Sequence, residues 1–507
     1  MCIGRLGGEQ TGYGREAMVG TEHIAWRGIM GPRTLDGLPP AGRPIRICFF
    51  FNAQMHQLLH GISTAVCLSR LPGVEVDVRS PSVRHIHYAR KLIERLGGGP
   101  IRCSSYIPPL LARTRTVFGG SVPPKLLTLM ALARELNHFD AIALPERTSM
   151  VLRRFGVNKP LFIHLDHGAG DRAAGFDPRI RLFDFVLMAG EKHRVRLMRD
   201  GMIREGTHAV VGYPKFDAAD AIRQDGWRPF ANNRLTVLYN PHFADIGSWE
   251  KCGAEVMRQF AEQQQYNLIV APHVRLLDNH KSRARWQSLL NGFSGLNHIL
   301  VDPGSHKSMD MSYTMAADIY LGDVSSQIYE FLRCPRPCLF LNPHRVAWEN
   351  DENYAHWRFG PVLSSTSGLI EAVDAAYASH PSYEAVQKQA FAETFSISGT
   401  TASERAAQAI AGYLHGQGVG TTGRNGQEEK SPSPVHCWRP RLSPPIWRVR
   451  QLAAVVLLLA VGWFAHDCIA AQADTPMTIA DEAVQARDSI PIGYGEKQQS
   501  WFTDAAG

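Results

Sequence analysis

From Ile45 onward, short apolar runs alternate with stretches of helical period, and this alternation organises most of the 507-residue chain. IRICFFF (45–51), VEVDV (74–78), DAIALPE (140–146), LFIHL (161–165) and FDFVLMAG (183–190) predict strands, each bounded by polar, Gly or Pro residues. Between them the spacing predicts a helix through Leu58, Leu59, Ile62, Val66 and Leu68 and another from Val83 to Leu96, stopped by Gly97-Gly98-Gly99. A third follows Pro123-Pro124 and runs to Leu136, and VVGYPKFD (210–217) closes this half. A second series follows: LTVLYN (235–240), YNLIVAPH (266–273), HILVDP (298–303), DIYLGD (318–323) and PCLFLNP (337–343). The helix after Ser248 places Trp249, Cys252, Val256, Met257 and Phe260 on one face. Three helices are expected to finish this half, and Thr401 with Glu404 forms a capping box at the start of the last. Two such βαβ series predict an α/β chain with two doubly wound, Rossmann-like domains facing a cleft.

The expected boundaries are an aperiodic, disordered lead (1–44), a first domain (45–225), a second domain (226–415), a Gly/Ser/Pro-rich linker (416–450), an apolar segment (451–471) and a disordered tail (472–507). Leu452 to Ala465 is apolar throughout, and the segment reaches spanning length only by tolerating His466 and Asp467. As a single-pass anchor, with Arg439, Arg441, Arg448 and Arg450 before it, it would keep the domains on the cytoplasmic face of a bacterial inner membrane. A signal-like segment joined by gene fusion is the alternative.

With 44% hydrophobic and 20% charged residues the chain can bury at least two cores. Nine cysteines without a repeating spacing argue for a reducing compartment, and Cys334 and Cys338 read as buried thiols and not as a zinc pair. The net charge of +7 is uneven: nine Lys or Arg between Arg79 and Lys125 face a single acid, Glu94. That stretch suits an anionic membrane surface or a polyanionic acceptor, or forms a solvated basic face. No nucleic-acid partner, cofactor or bound metal is expected.

Three polar turns carry candidate chemistry. In DIYLGDVSSQIYEFL (318–332) a strand passes Asp323, Ser325 and Ser326 to a helix start, which makes an anion site, with Glu330 one turn further on to accept hydrogen bonds from a ribose. A plain Ser-capped helix has the same pattern. In APHVR, His273 and Arg275 form a phosphate clamp or a surface turn. Asp166-His167-Gly168 follows a strand directly: His167 is placed as a general base, oriented by Asp166 or Asp171, or is a structural loop histidine.

Taken in order, His167-Gly168, VVGYPKFD (210–217), VLYNPHF (237–243), APHVR (271–275), DVSSQIYEFL (323–332) and TTASERAAQAI (400–410) resemble the CDP-glycerol glycerophosphotransferase family of wall teichoic acid polymerases and primases. The resemblance runs roughly from Ile45 to Leu414 and implies the GT-B fold, with donor binding in the second domain and acceptor binding in the first. It implies that His273 and the Ser325-Ser326 turn meet the pyrophosphate of CDP-glycerol or a related nucleotide diphospho-donor. His167 would then match the family's catalytic histidine, deprotonating an acceptor hydroxyl that attacks the β-phosphate and expels CMP, while Arg275 stabilises the transferring group. Gly168, Arg172 and His242 are expected in the cleft or at the acceptor, which is a lipid-linked or glycan hydroxyl at the inner membrane surface. The family usually continues HG with Thr-Pro, where this chain has Ala169, Gly170, Asp171 and Arg172; His273 lacks the following Pro, and Val324 replaces a Tyr. These departures bear on glycerol specificity more than on phosphate chemistry. A nucleotide-sugar glycosyltransferase, a non-hydrolysing sugar-nucleotide 2-epimerase and an inactive nucleotide-binding relative are the rival readings.

Overall fold

The computed structural model describes residues 43–106, 125–223, 227–277, 288–289, 292–293 and 295–420. Seven parallel strands form the first sheet: β1 (Ile45–Phe50), β2 (Val74–Ser80), β3 (Ile101–Ser105), β4 (Ala141–Leu144), β5 (Leu161–Leu165), β6 (Phe185–Met188) and β7 (His208–Val210), in the order β3-β2-β1-β4-β5-β6-β7. Six more form the second: β8 (Thr236–Asn240), β9 (Asn267–Val270), β10 (Ile299–Val301), β11 (Ile319–Gly322), β12 (Cys338–Leu341) and β13 (Val362–Leu363), in the order β10-β9-β8-β11-β12-β13. In each sheet the chain winds outward from its first strand, then returns to that strand's other side. Ile47 thereby lies opposite Ala141, and Ile319 opposite Val237. The β1/β4 and β8/β11 junctions are the switch points, where crossovers leave in opposite directions and open a crevice at the carboxyl ends.

The central strands are buried on both faces, which is why they read as unbroken apolar runs. The edge strands do not follow that rule. β3 is IRCSS, half exposed, and β13 has two residues, so neither carries a readable pattern. VVGYPKFD is not one strand: β7 ends at Val210 and a helix, Pro214–Ile222, starts on Pro214, where a missing N–H costs nothing. Arg43, assigned by sequence to the lead, forks onto Asp140 with two contacts of 2.8 Å.

The largest departure concerns the last helices. Helix α1 (Ile62–Ser69) covers one face of the first sheet, and the final helix, α2 (Ala402–Gly416), packs against it. Ala406, Ala407, Ile410, Ala411 and Leu414 lie in the core of the first sheet, although the helix follows the second sheet in sequence. Its capping box is present as expected: Thr401 Oγ1 accepts from Glu404 N at 3.2 Å and Glu404 Oε2 accepts from Thr401 N at 3.1 Å. Cys338 is a buried free thiol, whereas Cys334, expected to be one too, is disulfide-bonded.

Among the described residues no helix is long and apolar enough to cross a membrane; the linker beyond Gly420, the 451–471 segment, the tail and most of the lead lie outside them. Part of the basic stretch, 107–124, also lies outside. Within it Arg79 pairs with Asp77 and Glu135, Arg102 with Glu75 and Asp77, and Lys125 with Glu146, each carboxylate coming from outside the stretch. Arg84, Arg90, Lys91 and Arg95 remain exposed on the helix Val83–Arg95.

Candidate active site

The polar turns gather at the carboxyl ends of the strands beside both switch points. After β1 a short 3-10 turn, Met55–His60, carries His56 and His60; after β5 the chain enters the loop with Asp166, His167, Gly168, Gly170, Asp171 and Arg172. His242 follows β8, His273 follows β9, and Asp323 to Ser326 follow β11. Four imidazoles make a row across the two halves. Ring centroids are 6.3 Å apart for His167 and His60, 6.4 Å for His60 and His56, and 6.1 Å for His56 and His273. His242 continues the row at 5.4 Å from His273, and Arg172 of the first half reaches His242 Nδ1 at 3.3 Å.

Two glycines of the 167 loop face the 325–326 turn. A Cβ on Gly170 would stand 2.8 Å from Ser326 Cβ, and one on Gly168 would stand 3.8 Å from Ser326 Oγ. A side chain at Gly170 would push the two turns apart, whereas one at Gly168 would make only an ordinary van der Waals contact. Asp171 then ties the loop down: its carboxylate accepts from Tyr329 Oη at 2.7 and 2.8 Å, from Lys192 Nζ at 3.0 Å and pairs with His356 Nδ1 at 2.9 Å. Burial acts to raise this carboxyl, but Lys192 and His356 override it and hold it well below the usual range.

Hydrogen bonds fix the tautomers of the second-half imidazoles. His273 Nδ1 accepts the Arg275 backbone N–H at 3.2 Å, and His242 Nδ1 accepts that of Ala244 at 3.0 Å. In the neutral ring the proton then sits on Nε2, so each presents a donor to an anion. Both are neutral in the free protein: burial above all lowers His273 to about 4 and His242 to about 2. Burial likewise pushes His56 and His60 well below their ordinary value. His167 is lowered too, by burial and then by Arg147, with Asp166 and Glu146 acting in opposition. Its Nδ1 is buried without a hydrogen-bond partner, as is that of His60.

Several expected roles need correction. Asp166 does not orient His167: its Oδ2 pairs with His193 Nδ1 at 3.0 Å, and Asp171 is occupied as described. Burial would raise the Asp166 carboxyl, yet His193 brings it down to about 2. Asp323 is buried and faces its own fold, accepting from His242 N at 3.0 Å, Ser248 N at 2.6 Å and Ser248 Oγ at 2.9 Å. Ser325 donates to Asn240 Oδ1 at 2.8 Å, which ties the β8 and β11 ends together. Glu330 is buried and holds Lys215 Nζ at 2.7 and 2.8 Å and Tyr213 Oη at 3.0 Å. The helix behind the serines, Gln327–Phe331, is five residues long and has no side-chain cap, so it supplies little of the dipole expected of it. Ser326 alone of that turn keeps its hydroxyl without a protein partner among the described residues, facing the Gly168–Gly170 loop. Arg275 is exposed and lies over the Phe243 ring at 4.1 Å.

His56 and His60 escaped the sequence reading because they sit in what reads as an amphipathic helix. Two histidines at i and i+4 just past a strand's carboxyl end were the available signal. A cavity of about 20 Å³ behind the 167 loop, lined by His164, Asp166, Gly168, Gly170 and His193, holds room for one water beside the unpartnered His193 Nε2. Among the described residues, no three His, Cys, Asp or Glu side chains are placed to share a metal ion.

Two Rossmann-type parallel sheets, with imidazoles at both switch points, give the chain a GT-B-like α/β fold. Residues 149–412 match the model of the CDP-Glycerol:Poly(glycerophosphate) glycerophosphotransferase family, and the chain belongs to that family. It is a CDP-glycerol glycerophosphotransferase-like transferase. Among solved structures it is similar to a MnaA–UDP complex from S. aureus, at 15% identity and a TM-score of 0.52, covering 73% of this chain and 97% of that one. A putative UDP-N-acetylglucosamine 2-epimerase from Listeria monocytogenes aligns at 14% identity and a TM-score of 0.50, over 74% of this chain and 97% of that one. The wall teichoic acid polymerase TagF with CDPG aligns at 12% identity and a TM-score of 0.48, over 74% and 89%. Among proteins of curated function, none matches the chain.

Proposed function

We propose that the protein moves a glycerophosphate-like group, a polyol phosphate, from a CDP-activated donor to a hydroxyl of a cell-envelope glycan or lipid-linked acceptor. His167 is the general base. The acceptor oxygen attacks the β-phosphorus, the bond to the CMP oxygen breaks, and the hydroxyl proton passes to His167 and on to solvent. His273 and His242 donate Nε2–H to the phosphates, Ser326 adds its hydroxyl, and Arg275 lies at the same edge. Asp323, Ser325 and Glu330 support this site by holding its backbone and do not touch the donor.

The observation that carries the reading is the buried, unpartnered Nδ1 of His167 on a loop that Gly170 brings close to Ser326. The ring has a hydrogen bond to the Pro145 backbone, and its Nδ1, left without a protein partner, is the nitrogen suited to take a proton from a ligand. The exposed arginines and lysine of the helix Val83–Arg95 support work at an anionic surface, at the cytoplasmic face of the inner membrane. The test is product analysis: with CDP-glycerol and a polyol-phosphate or lipid-linked acceptor, CMP should accumulate in step with acceptor growth. Release of a nucleoside diphosphate, or turnover of UDP-sugars in its place, would overturn the reading.

A further inference from the structure

The row of imidazoles contains two members, His56 and His60, that neither the family motifs nor the turns of the second half explain, and His56 is the one that faces His273. His56 is half buried, its ring nitrogens make no hydrogen bond among the described residues, and its ring lies edge-on to His273 across the two halves, 6.1 Å between centroids. With N–H···O lengths of about 2.9 Å, that separation falls within the span that one oxygen, hydrogen-bonded to a nitrogen of each ring, can bridge. We propose that His56 is the first-half contact to the donor's phosphates, closing on the same phosphoryl group as His273 Nε2–H and taking up a proton when that group enters. The inference rests on reading the 273 and 326 turns as the donor-phosphate site.

The surroundings give the sign. The groups acting on His56 are His273 from the loop after β9, His167 from the loop after β5, Lys215 from the helix Pro214–Ile222 and His85 from the helix Val83–Arg95. His60 stands beside it on its own turn. None of these is a carboxylate; burial opposes a positive charge on the ring most, Lys215 is the one standing cation among them, and a proton on any of the neighbouring imidazoles would oppose it further. The empty site therefore holds His56 neutral. A phosphate anion between the rings reverses the balance, because an opposite charge at about 4–6 Å favours the protonated form. A group whose affinity for protons rises on binding makes the ligand bind more tightly as pH falls, with uptake of a proton from solvent. The charge reaches the phosphate from the half that also carries the base, so the donor is held from both sides.

The experiment is calorimetric titration of the full chain with inorganic pyrophosphate at pH 6.5, repeated in two buffers of different ionisation enthalpy. The expected result is uptake of a measurable fraction of a proton and an affinity that weakens as the pH is raised. His56→Gln keeps a neutral N–H donor and should abolish most of the uptake and flatten the pH dependence. His56→Leu, without the donor, should weaken binding further, about tenfold overall, as expected for one charge-assisted hydrogen bond. Unchanged thermal midpoints for both variants show that the fold is kept. Wild-type uptake and affinity in both variants, or no pyrophosphate binding by the wild type at millimolar concentration, overturns the inference. A CMP-release assay with CDP-glycerol separates the two ideas: His56-dependent pyrophosphate binding without CMP release sinks the donor assignment alone, and CMP release with His56-independent binding sinks only the present one.

Discussion

At the carboxyl edge of the second sheet nearly every polar side chain the sequence pointed to has a protein partner, whereas at the edge of the first sheet His60 and His167 each keep a buried ring nitrogen without one. The two sheets wind in the same order, so topology does not explain the difference. In the second half, Asp323, Ser325, Asn240 and Glu330 build a rigid platform that sets the directions of His242, His273 and Ser326. In the first half the unmet hydrogen-bonding capacity itself marks where a ligand is needed, since buried polar groups are otherwise almost always satisfied. A strong motif can therefore hold a fully bonded scaffold, while the groups with unmet hydrogen-bonding capacity lie in a weaker one.

The comparison breaks or sharpens through four measurements. Changing His167→Gln should lower kcat by about 10²–10⁴ and cost no more than the roughly 1 kcal/mol of the ring's one hydrogen bond, to the Pro145 backbone, because its Nδ1 has no protein partner. A larger fall in stability of the same variant would place His167 with the scaffold. Next, Lys215→Met strands the Glu330 carboxylate in the interior with only Tyr213 as donor. Breaking one side of a buried pair should cost about 3–5 kcal/mol in urea unfolding, and a loss below 1 kcal/mol would show the pair to be dispensable.

Acid should act on both edges together. Burial lowers His85 and His273 to about 4, His164 to about 3 and His242 to about 2, with His56 and His60 also well down. Below the unfolded value of about 6.5 the unfolded chain binds protons that the folded chain refuses, so stability drops as pH falls, by up to about 1.4 kcal/mol per pH unit for each such group. Asp166 and Glu146, held at about 2, lose their contribution only below the ordinary carboxylate range and do not account for a change near pH 6. A thermal midpoint that stays level from pH 7.5 to 5 would contradict this. The smallest effect separates neighbours: Ser325→Ala should lose about 1 kcal/mol of stability through its bond to Asn240, whereas Ser326→Ala should leave stability alone and weaken donor binding.

What the sequence could show followed from the physics of each element. Central strands were legible because burial on both faces demands unbroken apolar runs; β3 and β13 were not, because an edge or a two-residue pairing demands no such run. The capping box fixed where α2 starts but not where it packs, since an amphipathic face does not name the core it joins. His167, His273 and Ser326 were legible as polar residues just after strands, and the structure places each in a loop or turn at a strand's carboxyl end. The roles of Asp166, Asp323 and Glu330 were misjudged because hydrogen-bond partners lie far away in the chain: Glu330 meets Lys215, 115 positions earlier.

The return of α2 to the first sheet has a practical consequence. The two halves cannot be separated by a single cut between them: a fragment ending near residue 225 would expose Ile62, Val66 and Phe185 to water, stripped of the cover that Ile410 and Leu414 give them. Such a fragment should aggregate unless the closing helix is supplied on a tether or as a free peptide.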